Sequence, residues 1–455
     1  MSDRAAVLTP PATGWLRREL SNPLFRNGYA LVLNGGLTTM LGGAFWALGP
    51  LWYGPADFGR NFAMNQAIMF VGGATALTFL LIRFIPETAR HTRALVLGCY
   101  ALGTGAAVAV GAGFLAVWGE GWSTFDQLHG VGPGLLFLGM AVAWNLWNAV
   151  EGTFMGLRQA GWVPLVNTVW CLLRIGLLAV LAGAFPHNGM VLAWYLPVMV
   201  ILVPVNLLIF RRLIPAHRRA NEGRGHRSSH REIGRYLGIG YLGGAFQFAA
   251  MSLVPMMVIA HLTPTATAYF QVAWIAGMML DLLSINLSSS LTVEGSIDRE
   301  RLAASTRAVL RRAVTVLVPV SVLVIVAAPF ALELYGDGYA TGAPLLQILA
   351  LAVLPKAVLE IYIGVLRVRN RTHLIAALQG VRLAGVLGLV FVVIDPDHLY
   401  TIGLAVVAVN VVIAAAVLPG LRKAIKVADG TGLGRTARAL DRTPDGPSAT
   451  DQGRD

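Results

Sequence analysis

Apolar residues along this chain gather in long runs separated by short polar connections. Runs near the roughly 20 residues that a helix needs to cross a bilayer fall at about 28–51, 62–85, 94–118, 132–155, 163–184, 189–210, 236–260, 266–290, 309–333, 342–366, 374–394 and 399–418. The pattern predicts an all-α integral membrane protein of about twelve transmembrane helices. It divides the chain into a cytoplasmic N-terminal segment (1–26), a first six-helix bundle (27–210), a basic cytoplasmic linker (211–235), a second six-helix bundle (236–420) and a cytoplasmic tail (421–455). The tail is rich in Gly, Asp, Arg and Thr and poor in large apolar residues, a composition that predicts disorder. The first apolar run is longer than the roughly 7–15 residues of a signal h-region, so no cleaved signal is expected.

The polar residues inside these runs repeat. Arg26 recurs as Arg235, Pro55 as Pro264, Glu151 as Glu360 and Arg158 as Arg367, each pair 209 positions apart, and Arg174 and Arg382 are 208 apart. Two related halves are implied. Six helices precede the linker and six follow it. Because six is even, both halves enter the membrane in the same orientation, and the pseudo-twofold axis relating them runs along the membrane normal. That is a transporter layout, and it predicts that Arg174 and Arg382 approach one central cavity.

Composition supports lipid as the solvent. The 455 residues are 56% hydrophobic and 13% charged, against roughly 25% charged in an average soluble domain. A net charge of +12 would suggest nucleic acid in a soluble protein. Here the arginines sit in short connections, so they read as topology signals and no nucleic-acid partner is expected. Counting from a cytoplasmic start, the inner connections hold Arg90, Arg93, Arg158, a cluster from Arg211 to Arg235, a second from Arg299 to Arg312, and Arg367, Arg369 and Arg371. The outer ones hold Arg60 alone, with acids such as Glu120, Asp126, Asp337, Asp395 and Asp397. That asymmetry places both termini in the cytoplasm of a multi-pass plasma-membrane protein. Cys99 and Cys171 lie within apolar spans, so no disulfide framework is expected.

Rise per residue converts position into depth. Arg174 lies roughly 16 Å from the cytoplasmic end of its span, near the midplane, with Arg382 at a matching depth in the second half. Glu151 and Glu360 are roughly 10 Å deep. Lys356 is one turn from Glu360, and Asp281 falls in the middle of the eighth span. Embedded charges cost several kcal/mol and mark substrate or ion pathways. Arg174, Arg382 and Lys356 are therefore candidate binders of an anionic substrate, and Glu151, Glu360 and Asp281 candidate sites for proton or sodium coupling. The structural alternative is ion-paired glue between helices, Glu151 with Arg174 and Glu360 with Lys356 or Arg382. Embedded amides such as Asn65, Asn145, Asn167, Gln347 and Asn410 suit either a hydroxyl-rich cargo or helix contacts. Trp144 and Trp147 beside Glu151 could stack on a sugar ring or simply pack. Trp46, Trp52, Trp118 and Trp122 are expected in the outer aromatic belt.

No phosphate-binding loop, HExxH or paired CxxC occurs, so neither an enzyme nor a cofactor is expected. Asp395-Pro396-Asp397 reads as a turn in a short outer loop.

Three stretches carry a family resemblance: Arg26 to Leu31, Tyr53 to Arg60, and Leu349 to Pro355 with the following Arg367 to Arg369. They resemble the polysaccharide and oligosaccharide (Wzx-like) flippase branch of the MOP exporter superfamily, over about residues 26–420. The resemblance implies two homologous bundles around a cavity and a lipid-linked glycan flipped by alternating access. It implies cationic residues engaging the cargo's phosphate or acidic sugars, and glycosyltransferases of the same pathway as partners beside the membrane lipids. Arg174, Arg382 and Lys356 match by location. The alternatives are a cation-coupled multidrug or metabolite antiporter of MATE type, which should line its cavity with acids, and an integral-membrane glycan polymerase or ligase. The latter is disfavoured because the longest outer connection, about 119–131, is short.

Overall fold

In a computed structural model the described residues are 23–88, 91–118, 125, 128, 130–221, 252–297, 302–369 and 371–430. All regular structure among them is helical, as the apolar runs predict. In chain order the helices are α1 (Pro23–Trp52), α2 (Pro55–Ala74), α3 (Thr78–Phe84), α4 (Thr92–Trp118), α5 (Val131–Gly156), α6 (Trp162–Ala184), α7 (Gly189–Leu208), α8 (Ile214–Ala220), α9 (Ser252–His261), α10 (Pro264–Ile297), α11 (Leu302–Glu333), α12 (Ala343–Val368), α13 (Thr372–Val393) and α14 (Tyr400–Gly430). Among the described residues, ten candidate membrane spans result, counting α2 with α3 and α7 with α8 as single spans. The expected first span falls in α1, and α9 is the end of the expected seventh. Residues 236–251 of that seventh span lie outside the described residues, as do 1–22, 222–235 and 431–455.

Several boundaries differ from the expected ones for local reasons. The second span starts at Pro55, where proline's missing N–H costs nothing in a first turn and Asp57 favours the positive helix end. It breaks at Thr75–Leu77, where Ala76 N–H turns back to the Gly73 carbonyl. The sixth span runs past residue 210 to Ala220 because α7 passes through a wide turn, Ile209–Leu213, into α8. Pro215 cannot donate into the ladder, and the extra residue in that turn relieves the mismatch. Likewise α14 extends past residue 420. Leu421 and Ala424 bury against α12 and hold the helix together through Arg422 and Lys423. The α5–α6 turn puts Arg158 at φ 58°, with Gln159 N–H bonded to the Phe154 carbonyl at 2.8 Å. This is the left-handed cap that usually selects glycine.

The chain forms two compact units. The first comprises Met1–Ala273, Ala331–Gly342 and Leu387–Leu399; the second comprises Trp274–Phe330, Ala343–Val386 and Tyr400–Asp455. In the first unit α1 packs on α6, α2 and α3 on α5, and α7 on α6 and α5. The α2–α5 approach is close because Gly72 lacks a side chain: a Cβ there would lie 2.5 Å from the Ala141 carbonyl oxygen. Asn145 spans the same seam, donating to the Gly72 carbonyl at 3.2 Å and to Thr75 Oγ1 at 2.9 Å. At the other end of α2, Asn61 ties to the α6–α7 turn through the His187 carbonyl and Val191 N–H, while His187 Nδ1 meets Asp57 Oδ1 at 2.8 Å. In the second unit α12 is the central helix. Val353, Ala357, Ile361 and Val365 meet Leu317 of α11 and Leu421 of α14. Outward faces of both units carry Val110, Leu135, Val180, Val200, Val326 and Val412, the apolar surface that lipid would cover.

Candidate functional site

In the first unit, Arg174 on α6 has only 2% of its surface exposed. Its guanidinium lies between aromatic faces, with Cζ 4.0 Å from the Trp170 ring centroid, 4.2 Å from Trp194 and 5.2 Å from Phe45. Trp170 is one helical turn before Arg174 and so on the same face; its indole N–H donates to the Trp194 carbonyl at 3.1 Å, which fixes α6 to α7. Gly42 of α1 leaves the space that Arg174 Nη2 fills, since a Cβ there would sit 3.2 Å away. Trp144 and Trp147 of α5 back the box through Trp170. Among the described residues no carboxylate pairs with Arg174; the Cys171 thiol on the same helix interacts with it, and its Nε and Nη1 have no hydrogen bond of ordinary geometry. The ring quadrupoles lower the cost of burying this cation, but they accept none of its in-plane donors. Such a group can take an anion edge-on without first giving up a salt bridge.

Glu151 on α5 does not pair with Arg174. Its Oε1 accepts from Asn167 Nδ2 at 2.6 Å across to α6.

The second unit is arranged differently. Lys356 Nζ on α12 binds Asp281 Oδ2 on α10. One turn along α12, Glu360 Oε1 lies 3.9 Å from Arg382 Nη1 on α13, and Arg382 Nε donates to Asn410 Oδ1 on α14 at 3.1 Å. Lys356 and Glu360 are buried, whereas Arg382 and Asp281 are partly exposed. Sequence reasoning thus placed all six charges in the spans, and the structure brings four of them together in one unit and leaves Arg174 and Glu151 in the other.

Three residues were missed as a set: Phe45, Trp170 and Trp194. The spacing of Trp170 to Arg174 was a readable signal, but the contributions of α1 and α7 are tertiary. Trp46, expected at the outer boundary, packs inward on Phe58, Phe62 and Trp194. Several embedded amides satisfy backbone groups, as Asn145 does, and Gln347 donates to the Ile325 carbonyl at 2.9 Å.

No family model matches the chain, and no curated protein does. Solved structures do match. An inward-facing multidrug resistance MATE family transporter of the MOP superfamily superposes with a TM-score of 0.66 at 16% identity, covering 87% of this chain and 96% of that one. The outward-facing conformation of a multidrug resistance MATE family transporter gives 0.51 at 15% identity, with 93% and 100% covered. A MOP superfamily transporter from Pyrococcus furiosus, described as having a binding pocket of reverse polarity that suggests a different function, gives 0.58 at 16% identity, again with 93% and 100% covered. The chain has the all-helical fold of the MATE transporters of the MOP superfamily.

Proposed function

We propose that this protein is a flippase or exporter of a lipid-linked oligosaccharide or polysaccharide precursor, acting by alternating access in the cytoplasmic membrane with both termini in the cytoplasm. One observation carries the reading. Arg174 is a buried cation whose Nε and Nη1 make no hydrogen bond of ordinary geometry and which, among the described residues, no acid neutralises. An anion that leaves water for the membrane interior loses hydration worth many kcal/mol, and a fixed positive charge offsets that loss. A diphosphate head group matches the guanidinium's in-plane fork. Arg382, whose contact with Glu360 is long, is the second anion-binding group. Lys356 is committed to Asp281, and with Glu151 and Glu360 that pair is assigned to ion coupling.

The second reading is a multidrug or metabolite antiporter, which the multidrug transporters among the structural neighbours favour. The aromatic box suits it too, since flat cations stack on indole. The Pyrococcus transporter's described reverse polarity supports the view that this fold serves cargoes of more than one charge.

Proteoliposome transport decides between them. A short-glycan polyprenyl diphosphate should cross the bilayer in the presence of the protein, and a lipophilic cationic dye should not. Transport of the dye alone would overturn the flippase reading.

A further inference from the structure

A carboxylate inside a membrane helix bundle persists only with a proton, a bound metal ion or a fixed cation beside it. Asp281 has the third. Lys356 Nζ contacts its Oδ2, and the lysine side chain is 8% exposed. The ammonium carries the charge of one alkali-metal ion. Its tether to α12 makes its meeting with Asp281 intramolecular, at an effective concentration set by the helix geometry rather than by the salt in solution. Around it, Glu360 lies a turn along α12, Arg382 projects from α13 and Asp281 from α10, so two carboxylates face two fixed cations.

A second observation sits one turn along α10. Ser284 is fully buried, and its Oγ has no hydrogen-bond partner. Residues three apart share a helix face, and a hydroxyl oxygen offers two lone pairs to a cation. Asp281 and Ser284 therefore supply a carboxylate and a hydroxyl on one face of α10, the oxygen donors that hard cations take.

We propose that Asp281 is a monovalent cation site whose resident ion is Lys356, so that it needs no sodium or potassium, and that Ser284 is the second oxygen donor a metal ion would use once the lysine charge is removed. The inference rests on assigning Asp281 to the coupling machinery, and it narrows the coupling ion there. As long as the lysine stays charged, metal ions are excluded by like-charge repulsion and by the loss of their place on Asp281. Lys356 then serves Asp281 rather than the cargo.

The test uses the full-length protein, purified without cargo, with sodium chloride as the probe and choline chloride holding ionic strength constant. Thermal stability of the wild type and of Lys356→Arg should not respond to sodium over choline. Lys356→Gln should have a lower Tm in choline and recover in sodium, with saturable single-site binding of radioactive sodium. Adding Ser284→Ala to Lys356→Gln should weaken that binding several-fold, and adding Asp281→Asn should abolish it. Where Lys356→Gln cannot be purified in choline, purification in sodium is the same test: recovery in sodium alone supports the site, and loss in both salts overturns it. A sodium response in the wild type that Asp281→Asn removes would also overturn it, as would a stable Lys356→Gln indifferent to sodium. None of these outcomes involves a glycan or a dye, so the cargo assignment stands or falls separately.

Discussion

The two units bury positive charge by opposite means. In the first, Arg174 stacks among Phe45, Trp170 and Trp194 with no acid beside it among the described residues. In the second, Lys356 and Arg382 meet Asp281, Glu360 and Asn410. Aromatic faces attract a cation through their quadrupole, more weakly than a carboxylate does, and they carry no net charge of their own. An arginine held by them keeps its full field for a visitor, whereas a paired lysine is largely neutralised. The sequence repeat matches Arg174 with Arg382, yet their surroundings have diverged: aromatic rings hold the first, and Glu360 and Asn410 hold the second.

The largest effect expected from breaking this contrast is at Lys356. Lys356→Gln strands the Asp281 carboxylate and should cost about 3–5 kcal/mol of stability, with Asp281→Asn added to Lys356→Gln restoring most of it. Denaturation of the purified variants in choline measures both. Arg174→Met leaves no charge unpaired, so it should cost less, about 2 kcal/mol of lost cation–π contact. If Arg174→Met proved the more damaging of the two, the contrast between the units would fail. Export should rank them the other way. Arg174→Met and Arg174→Lys should each lower the rate of glycolipid transport about tenfold or more, because lysine has neither the flat stack nor the in-plane fork.

Glu151→Gln is a smaller perturbation. The amide can still accept from Asn167, so stability should change by less than about 1 kcal/mol, read by the same melts. The smallest effect is at the exposed turn after α13. There His398 Nδ1 meets Asp395 Oδ2 at 2.8 Å, and Asp397 N–H donates to Asp395 Oδ1. These contacts, led by the His398 bond, hold the Asp395 carboxyl below its ordinary value. A depressed carboxyl stabilises the folded form above its unfolded value, and the contribution fades as pH falls through the folded one. His398→Ala should move the Asp395 titration upward in carboxyl-labelled NMR spectra, with only a small fall in Tm at neutral pH, where the contribution is fully present. The turn between α6 and α7 reaches further, with His187 meeting Asp57 on α2.

How much of this was legible in sequence depended on the kind of residue. The spans were readable because bilayer thickness fixes helix length, and the charges within them because each stands out against apolar neighbours. Partners were not. The structural alternative offers Glu151 a pairing with Arg174, but Glu151 bonds Asn167, because helical rise gives no azimuth. The aromatic box draws on α1, α6 and α7, and only its Trp170 member lies near Arg174 in sequence. The helix end at Gly430 escaped composition because burial of Leu421 and Ala424 outweighs the adjoining charges, and the end at Ala220 because the wide turn at Ile209–Leu213 carries the helix past Pro215.

The crowding of indoles around one guanidinium also makes the first unit its own light source. Trp46, Trp144, Trp147, Trp170 and Trp194 form a chain of rings with neighbouring centroids 5.1–5.8 Å apart, out of eleven tryptophans in the sequence. At such spacing excitation passes from ring to ring, and a cation lying on Trp170 and Trp194 biases the colour of whichever ring finally emits. An arginine that swung away to meet a cargo would change that emission with no dye attached, so the protein's ultraviolet fluorescence reports on the very group proposed to greet the substrate.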